Sequence, residues 1–269
     1  MLAHAASVAP ISPWQLVGAM GLVLAAAAVS MVMKLGLEKR LALSAARTIV
    51  QLLLLGYVLS EVFALDAPWA VGAVIAVMIA TASHAAVART SYRYKGVHLT
   101  SVITMCLSSL VVATTVTQAI IQVDPWYKAQ YVIPMLGMIL GNTLTGISLC
   151  LDSLLEGLRE RRGEVEMMLS LGANRWEAAR PFLRASVRKG MIPIINSMMV
   201  VGLVSLPGMM TGQIINGGNP PMAARYQIIV MFMIAAACAL GCMIIANLSV
   251  RKLFNTRDQL LHDAIQKRG

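Results

Sequence analysis

Seven times along its 269 residues the chain runs for about 20 residues with almost no charge, near 14–33, 41–63, 68–88, 99–121, 131–151, 191–215 and 226–250. Nothing else in the sequence constrains folding as strongly. A helix needs roughly 20 residues to cross a hydrocarbon core about 30 Å thick, and lipid offers no partner to an unpaired backbone amide. The expected fold class is therefore all-α, a polytopic transmembrane helical bundle of about seven spans. Composition agrees, with 58% hydrophobic and 13% charged residues against roughly 25% charged in soluble domains. The third and sixth runs are diluted, by His84 and by the region around Pro207.

A formal net charge of +10 suits a nucleic-acid partner as well as a membrane, so the placement of the basic residues decides. Nineteen of the 22 fall in alternate connections: Lys34 to Arg40, Arg89 to Lys95, Arg159 to Lys189, and Arg251 to the C-terminus. The other connections hold only Lys128 and Arg225, and Arg47 lies inside the second run. This is the positive-inside pattern. It predicts an N-terminus outside and a C-terminus in the cytoplasm, and it leaves no role for nucleic acid. The opening "MLAHAASVAPISPW" has no Lys or Arg, so it lacks the n-region of a cleavable signal and the first span should remain as an anchor.

Recognisable reaction chemistry is missing from the sequence. None of the seven lysines is followed by Ser or Thr, so no P-loop is present to cradle nucleotide phosphates. There is no H-E-x-x-H, no G-x-S-x-G and no Cys/His zinc spacing, the apparatus that metalloproteases and serine hydrolases need. Cys106, Cys150, Cys238 and Cys242 all sit in apolar runs. Cys238 and Cys242 share a helix face at i, i+4, yet two thiolates alone make an incomplete soft-metal site, and small apolar packing is the simpler reading. No Asp or Glu occupies a span centre, and Glu61 lies near an outer end. A proton-coupled secondary carrier, which commonly relies on a buried acidic relay, is thereby disfavoured. His84 is the one candidate titrating exception, against a hydrogen-bonded packing histidine near the inner face as the simpler reading.

The longest polar segment is "DSLLEGLRERRGEVEMMLSLGANRWEAARPFLRASVRK", residues 152–189. It is too short for a catalytic domain and is predicted to form helical elbows. Glu164 to Leu171 forms helical turns that Gly172 ends in a left-handed conformation. Asn174 caps the next helix with Glu177 reaching back, and Pro181 cuts it after about two turns. A short helix from Leu169 to Trp176 should thus project between two bends. A generic amphipathic interfacial helix explains the segment equally well. Glu166, then Gly172 six residues on, then Pro193 at the base of the next span also resemble the coupling loop of ABC transporter permeases. The family's two alanines are Met167 and Met168 here, and the literal "EAA" at Glu177 to Ala179 lacks the following glycine.

Longer stretches carry a closer likeness. "LEKRLALSAARTIVQLLLLGYVL" from Leu37, "IPMLGMILGNTLTGISL" from Ile133, "LSLGA" from Leu169, "VGLVSLPGMMTGQI" from Val201 and "YQIIVMFM" from Tyr226 resemble, in order and spacing, the FetB family of iron-export ABC permeases. Plant relatives of that family are linked to aluminium tolerance. The resemblance implies a single permease domain over 1–269 that binds no cofactor itself. It would pair as a homodimer with a separate cytoplasmic ATPase carrying ATP and Mg, in a two-plus-two assembly; the few aromatics and the positive-inside loops suit a bacterial inner membrane. Glu166, Leu169, Leu171, Gly172, Ala173 and Arg175 are the implied ATPase-coupling residues, with Glu166 and Arg175 offering exposed charge.

Two spans carry the candidate solute path. In "GLVSLPGMMTGQI", Pro207 removes one helix N–H while Gly202, Gly208 and Gly212 leave backbone accessible, a break tolerable in lipid only where it faces protein or a water-lined cavity. Ser205, Pro207, Gly208, Met209, Met210 and Thr211 are the hinge or pathway candidates, against a packing kink as the alternative. In "GMILGNTLTG", Gly137 and Gly141 form a G-x-x-x-G pair suited to close packing, and Asn142 is either interhelical glue or a solute contact. Arg47, Gln51, Asn142, Thr143, Asn196 and Gln227 would form a polar seam if the fold brought them together, although Arg47 can instead snorkel to the interface. The metal ligands stay open, because Met is a common apolar filler and hard ferric or aluminium ions prefer oxygen. A secondary carrier for a small solute and a noncatalytic membrane scaffold or receptor are the rival functions.

Overall fold

The computed structural model describes residues 12–65 and 67–267; the N-terminal stretch Met1 to Ile11, expected outside the membrane, lies beyond them. Helix α1 (Pro13–Val32) and helix α2 (Glu38–Leu65) form an antiparallel pair. Their turn is held by Ser30, whose hydroxyl accepts from the Leu37 amide at 3.1 Å and donates to the Glu38 carboxylate at 3.3 Å. Helix α3 (Pro68–Ala88) starts on a proline whose missing N–H costs nothing in a first turn. A two-residue strand, β1 (Tyr92–Arg93), leads into α4 (Val97–Thr114), which continues as a π-helical turn over Thr115–Ile120. Next come α5 (Ala129–Glu160), α6 (Arg162–Ser170), α7 (Arg175–Val200), α8 (Gly208–Ile215) and α9 (Pro220–Leu253). The chain then runs to β2 (Gln266–Lys267), which pairs antiparallel with β1.

Six helices among the described residues are long and apolar enough to span a membrane: α1, α2, α3, α4 with its continuation, α5 and α9. The run at 191–215 is not a single helix. It divides into the end of α7, an irregular link over 201–207, and α8. The chain nevertheless changes sides there. Helix α7 begins beside the C-terminal end of α9, where the Arg251 guanidinium lies 5.9 Å from the Trp176 ring centroid. Helix α8 delivers the chain to the other end of α9, a helix of 34 residues and so about 51 Å long. The sixth crossing is therefore composite, two helical pieces joined at the glycine-proline link.

Helices α4, α5, α7 and α9 form the core, with α3 against α4 and α5. The closest approach lies where α5, α7 and α9 meet: a Cβ on Gly146 would stand 2.3 Å from the Cys238 sulfur, and one on Gly190 would stand 2.7 Å from the Gly146 carbonyl oxygen. The expected G-x-x-x-G contact is displaced to this point, since nothing lies within 4 Å of a Cβ on Gly141 and Gly137 would meet only the end of Met78 at 3.4 Å. Cys150, Cys238 and Cys242 are free and buried around the Gly146 and Gly190 notch. Among the described residues no group of three or more His, Cys, Asp or Glu side chains is arranged to hold a metal ion. Helix α4 buries a row of hydroxyls that satisfy themselves on their own helix, as Thr104 does on the Thr100 carbonyl and Ser108 on the Thr104 carbonyl, both at 2.8 Å. Ser101 instead crosses to the Ser83 carbonyl of α3 at 3.1 Å.

Pro181 does not end α7, which passes through both Pro181 and Pro193. A proline in a helix forfeits one backbone bond, and here the neighbours outweigh that loss: Ala178, Ala179 and Phe182 are buried around it. Burial of a phenylalanine-sized side chain contributes about 1.5–3 kcal/mol. His84 also departs from expectation, being exposed and stacked on His98 with ring centroids 5.5 Å apart.

Candidate functional site: a corner at the basic end and a membrane cavity

The last turns of α5 and all of α6 stand at the basic end of the bundle. Glycine at 172 takes φ +92, and the amides of Gly172 and Ala173 donate to the carbonyls of Leu169 and Met168 at 3.0 and 3.1 Å. This is a Schellman closure of α6. Two residues later Asn174 opens α7, its carboxamide oxygen accepting from the Trp176 and Glu177 amides at 2.9 and 3.0 Å while Glu177 accepts from the Asn174 amide at 2.8 Å. Residues 169–176 thus form a helix–turn–helix corner rather than the short helix that was expected, because the capping box and the Schellman closure fall only a few residues apart.

What the corner presents outward is mixed. Leu171, at its tip, is 80% exposed and Met167 is 57% exposed, an apolar knob on a polar surface. Glu166 pairs with Arg162 one turn earlier. Arg175 is not a free charge, for its guanidinium pairs with Asp258 of the C-terminal tail and is half-buried. That tail is woven into the same end of the molecule. Arg159 donates to the Ile265 carbonyl and lies 5.3 Å from the Tyr92 ring centroid, and Ile265 is buried. Tyr94, buried beside them, shares a hydrogen bond of 3.1 Å with Ser249. Burial pushes its phenol up from the usual range, with the hydrogen bonds to Ser249 and Thr100 pulling the other way. The tail has no motif that marks it in sequence, and its pairing with α7 is visible only in the fold.

The link over 201–207 closes its backbone on itself. The Gly202 amide donates to the Ser205 carbonyl at 2.9 Å, the Val204 amide to the Val200 carbonyl at 3.0 Å, and the Thr211 hydroxyl to the Pro207 carbonyl at 3.1 Å. The expectation that this break faces inward is met on one side only. Leu203 and Val204 are 89% and 83% exposed, whereas Ser205, Pro207 and Gly208 line a cavity of about 410 Å³ between α5, α7, α8 and α9. The amides of Gly202, Leu203 and Val204 are thus paired within residues 200–205 beneath the exposed apolar side chains, which lowers the cost of that exposure.

This cavity collects part of the expected seam. Asn142 and Gln227 line it together, with Ser197 and Met209. Asn142 donates to the Met138 carbonyl of its own helix at 2.8 Å. Gln227 is buried, and its carboxamide oxygen has no hydrogen-bond partner. Met210 and Pro207 line a second, more apolar recess of about 350 Å³ that also has Gln227 in its wall. Thr143 turns away, its methyl group packing where Gly241 leaves room. Arg47, Gln51 and Asn196 are exposed and line neither space; α2 packs chiefly on α1 at the edge of the bundle, too far out to bring the first two in. Ser197 escaped notice because a lone serine in an apolar run gives no periodic signal.

Comparison with known proteins fits this architecture. Residues 13–254 match the family model "Uncharacterised protein family (UPF0014)". The chain is 40% identical over 249 residues to the UPF0014 membrane protein slr1647 of Synechocystis, covering 92% of this chain and 96% of that one. It is 33% identical to the probable iron export permease protein FetB of Escherichia coli, over 93% and 95% of the two chains. It is 29% identical to the protein ALUMINUM SENSITIVE 3 of Arabidopsis thaliana, over 83% and 80%. No solved structure matches.

Proposed function

This chain belongs to the UPF0014 family, and on that premise we propose that it is the membrane-spanning permease subunit of an ABC transporter that exports iron or a related metal, driven by a separate ATPase. The observation that carries the reading is the corner at Leu171 and Gly172, a rigid, doubly capped knob with an apolar tip at the positively charged end of an integral membrane protein. An exposed leucine on such a corner suits insertion into a groove of a cytoplasmic partner. The basic connections would face the cytoplasm, with the N-terminus outside.

In this reading ATP binding closes two ATPase subunits, each gripping the corner of one copy in a homodimer. The force passes along α7, which is continuous from the corner to the glycine-proline link. Coupling of this kind requires contacts that differ between the two states. Glu166, Leu169, Leu171, Gly172, Ala173 and Arg175 would form the grip, and Ser205, Pro207, Gly208, Met209, Met210 and Thr211 the moving joint. The lack of a P-loop in this sequence leaves nucleotide hydrolysis to the partner.

Co-purification with an ABC ATPase, followed by ATP-dependent iron flux in proteoliposomes, tests the proposal. Flux without any ATPase under an ion gradient would replace it with a secondary carrier; partner binding without flux would replace it with a scaffold or receptor.

A further inference from the structure

We propose that the cavity between α5, α7, α8 and α9 binds a small hydroxyl-bearing oxyanion, a hydroxycarboxylate or a polyol phosphate, rather than a bare metal cation. Only the statement that this ligand is the transported species rests on the permease reading above. Two independent features converge on the cavity. Gln227 is 7% exposed and its carboxamide oxygen is unpartnered, an acceptor that a ligand hydroxyl would satisfy. Helix α8, eight residues long, begins at the cavity wall with Gly208 and Met209, and its N-cap is Pro207, with no side-chain cap. The first amides of a helix have no partner within it and carry the positive end of its dipole. In a broken membrane helix such an end suits an anionic group.

The rest of the lining argues against a bare cation. None of the residues around the cavity or the adjoining recess is Asp, Glu, His, Lys or Arg, so a di- or trivalent cation would find no charged ligand. Asn142 donates one of its two side-chain N–H groups to the Met138 carbonyl, and its carboxamide oxygen can accept from a second hydroxyl. The volume of about 410 Å³ lies in the range of small-molecule sites. A metal that used this route would travel inside an oxyanion chelate.

The test is calorimetry on the full chain in lipid nanodiscs with four probes: citrate, tricarballylate (the same three carboxylates without the hydroxyl), glycerol 3-phosphate, and iron(II) alone. Citrate or glycerol 3-phosphate binds, the tighter one naming the oxyanion, and iron(II) does not. Tricarballylate binds at least tenfold more weakly than citrate wherever citrate binds, because the Gln227 acceptor stays unpaired, and Gln227→Leu abolishes that difference. Ser205 is exposed at the cavity mouth; in protein that inserts with wild-type helicity, Ser205→Asp weakens oxyanion binding at least tenfold and Ser205→Lys strengthens it. The reverse order for that pair, tight binding of iron(II) alone, or no oxyanion binding by protein that still assembles with its ATPase would overturn the assignment. Oxyanion binding by protein that recruits no ATPase would instead sink the permease reading and leave the site standing.

Discussion

Gly190 and Gly172 are both glycines for physical reasons, but the reasons differ and so do the consequences of replacing them. At Gly190 the constraint is space, since a Cβ would press on the Gly146 carbonyl, the Cys242 sulfur and the Cys150 Cβ, all at 2.9 Å or less. We expect Gly190→Val to push α7 away from α5 and α9 and lower the thermal stability of the detergent-solubilised protein, by about 1–3 kcal/mol or more, while Gly141→Ala does not lower it. At Gly172 nothing stands within 4 Å and only the left-handed backbone forbids a side chain. Gly172→Val should therefore insert and fold, at a cost of about 1–2 kcal/mol, yet lose transport and ATPase stimulation because the corner is re-aimed. Unchanged stimulation by that variant would remove Gly172 from the coupling role. Sequence alone marked Gly172, whose neighbours spell a helix end; it did not mark Gly190, because a steric demand made by another helix leaves no local trace.

At the scale of the element, the ion pair between Arg175 and Asp258 ties α7 to the tail. Because both groups are partly exposed, the pair contributes little to overall stability; its effect is to hold the corner in one orientation. Arg175→Glu is expected to reduce ATPase stimulation several-fold, and the double exchange Arg175→Glu with Asp258→Arg to restore most of it. No restoration would assign Arg175 a direct contact with the partner instead. Pro181 shows the limit of reading elements locally. Its ring opposes helix formation by about 3 kcal/mol, yet α7 continues through it on the strength of what Phe182 and the two alanines bury against α5. The asparagine cap and the glutamate that reciprocates were legible, since both ends of that device lie within four residues of sequence.

For the whole molecule, the composite sixth crossing fixes which ends lie together. If α7, the link and α8 take the chain across, single cysteines at Leu171 and at Asn219 must sit on opposite faces of the membrane. A membrane-impermeant maleimide applied to intact cells should label Asn219→Cys in a cysteine-free background and leave Leu171→Cys unlabelled until the cells are opened. Labelling of both from one side would make α7 and α8 a re-entrant hairpin and reduce the crossings to six. The tail belongs to this scale as well, because β2 on β1 and Ile265 beneath Arg159 join the chain's end to the α3–α4 connection. Truncation after Leu253 should leave insertion intact but loosen the corner, visible as faster proteolysis at Arg161 or Arg162.

By itself the sequence determined the solvent, the helical class, the alternation of basic and charge-poor connections, and the two caps that shape the corner. Each of these follows from hydrophobicity or from hydrogen bonds that close within a few residues. The tertiary structure alone decided that Gln227 and Asn142 share a cavity while Arg47, Gln51 and Asn196 do not, that a cysteine-lined glycine notch rather than a G-x-x-x-G pair joins α5 to α7 and α9, and that Asp258 reaches Arg175. Those outcomes depend on helix rotation and neighbour choice. In a bundle where lipid tails are as apolar as the side chains, van der Waals fit between distant segments sets both, and no window of sequence contains it.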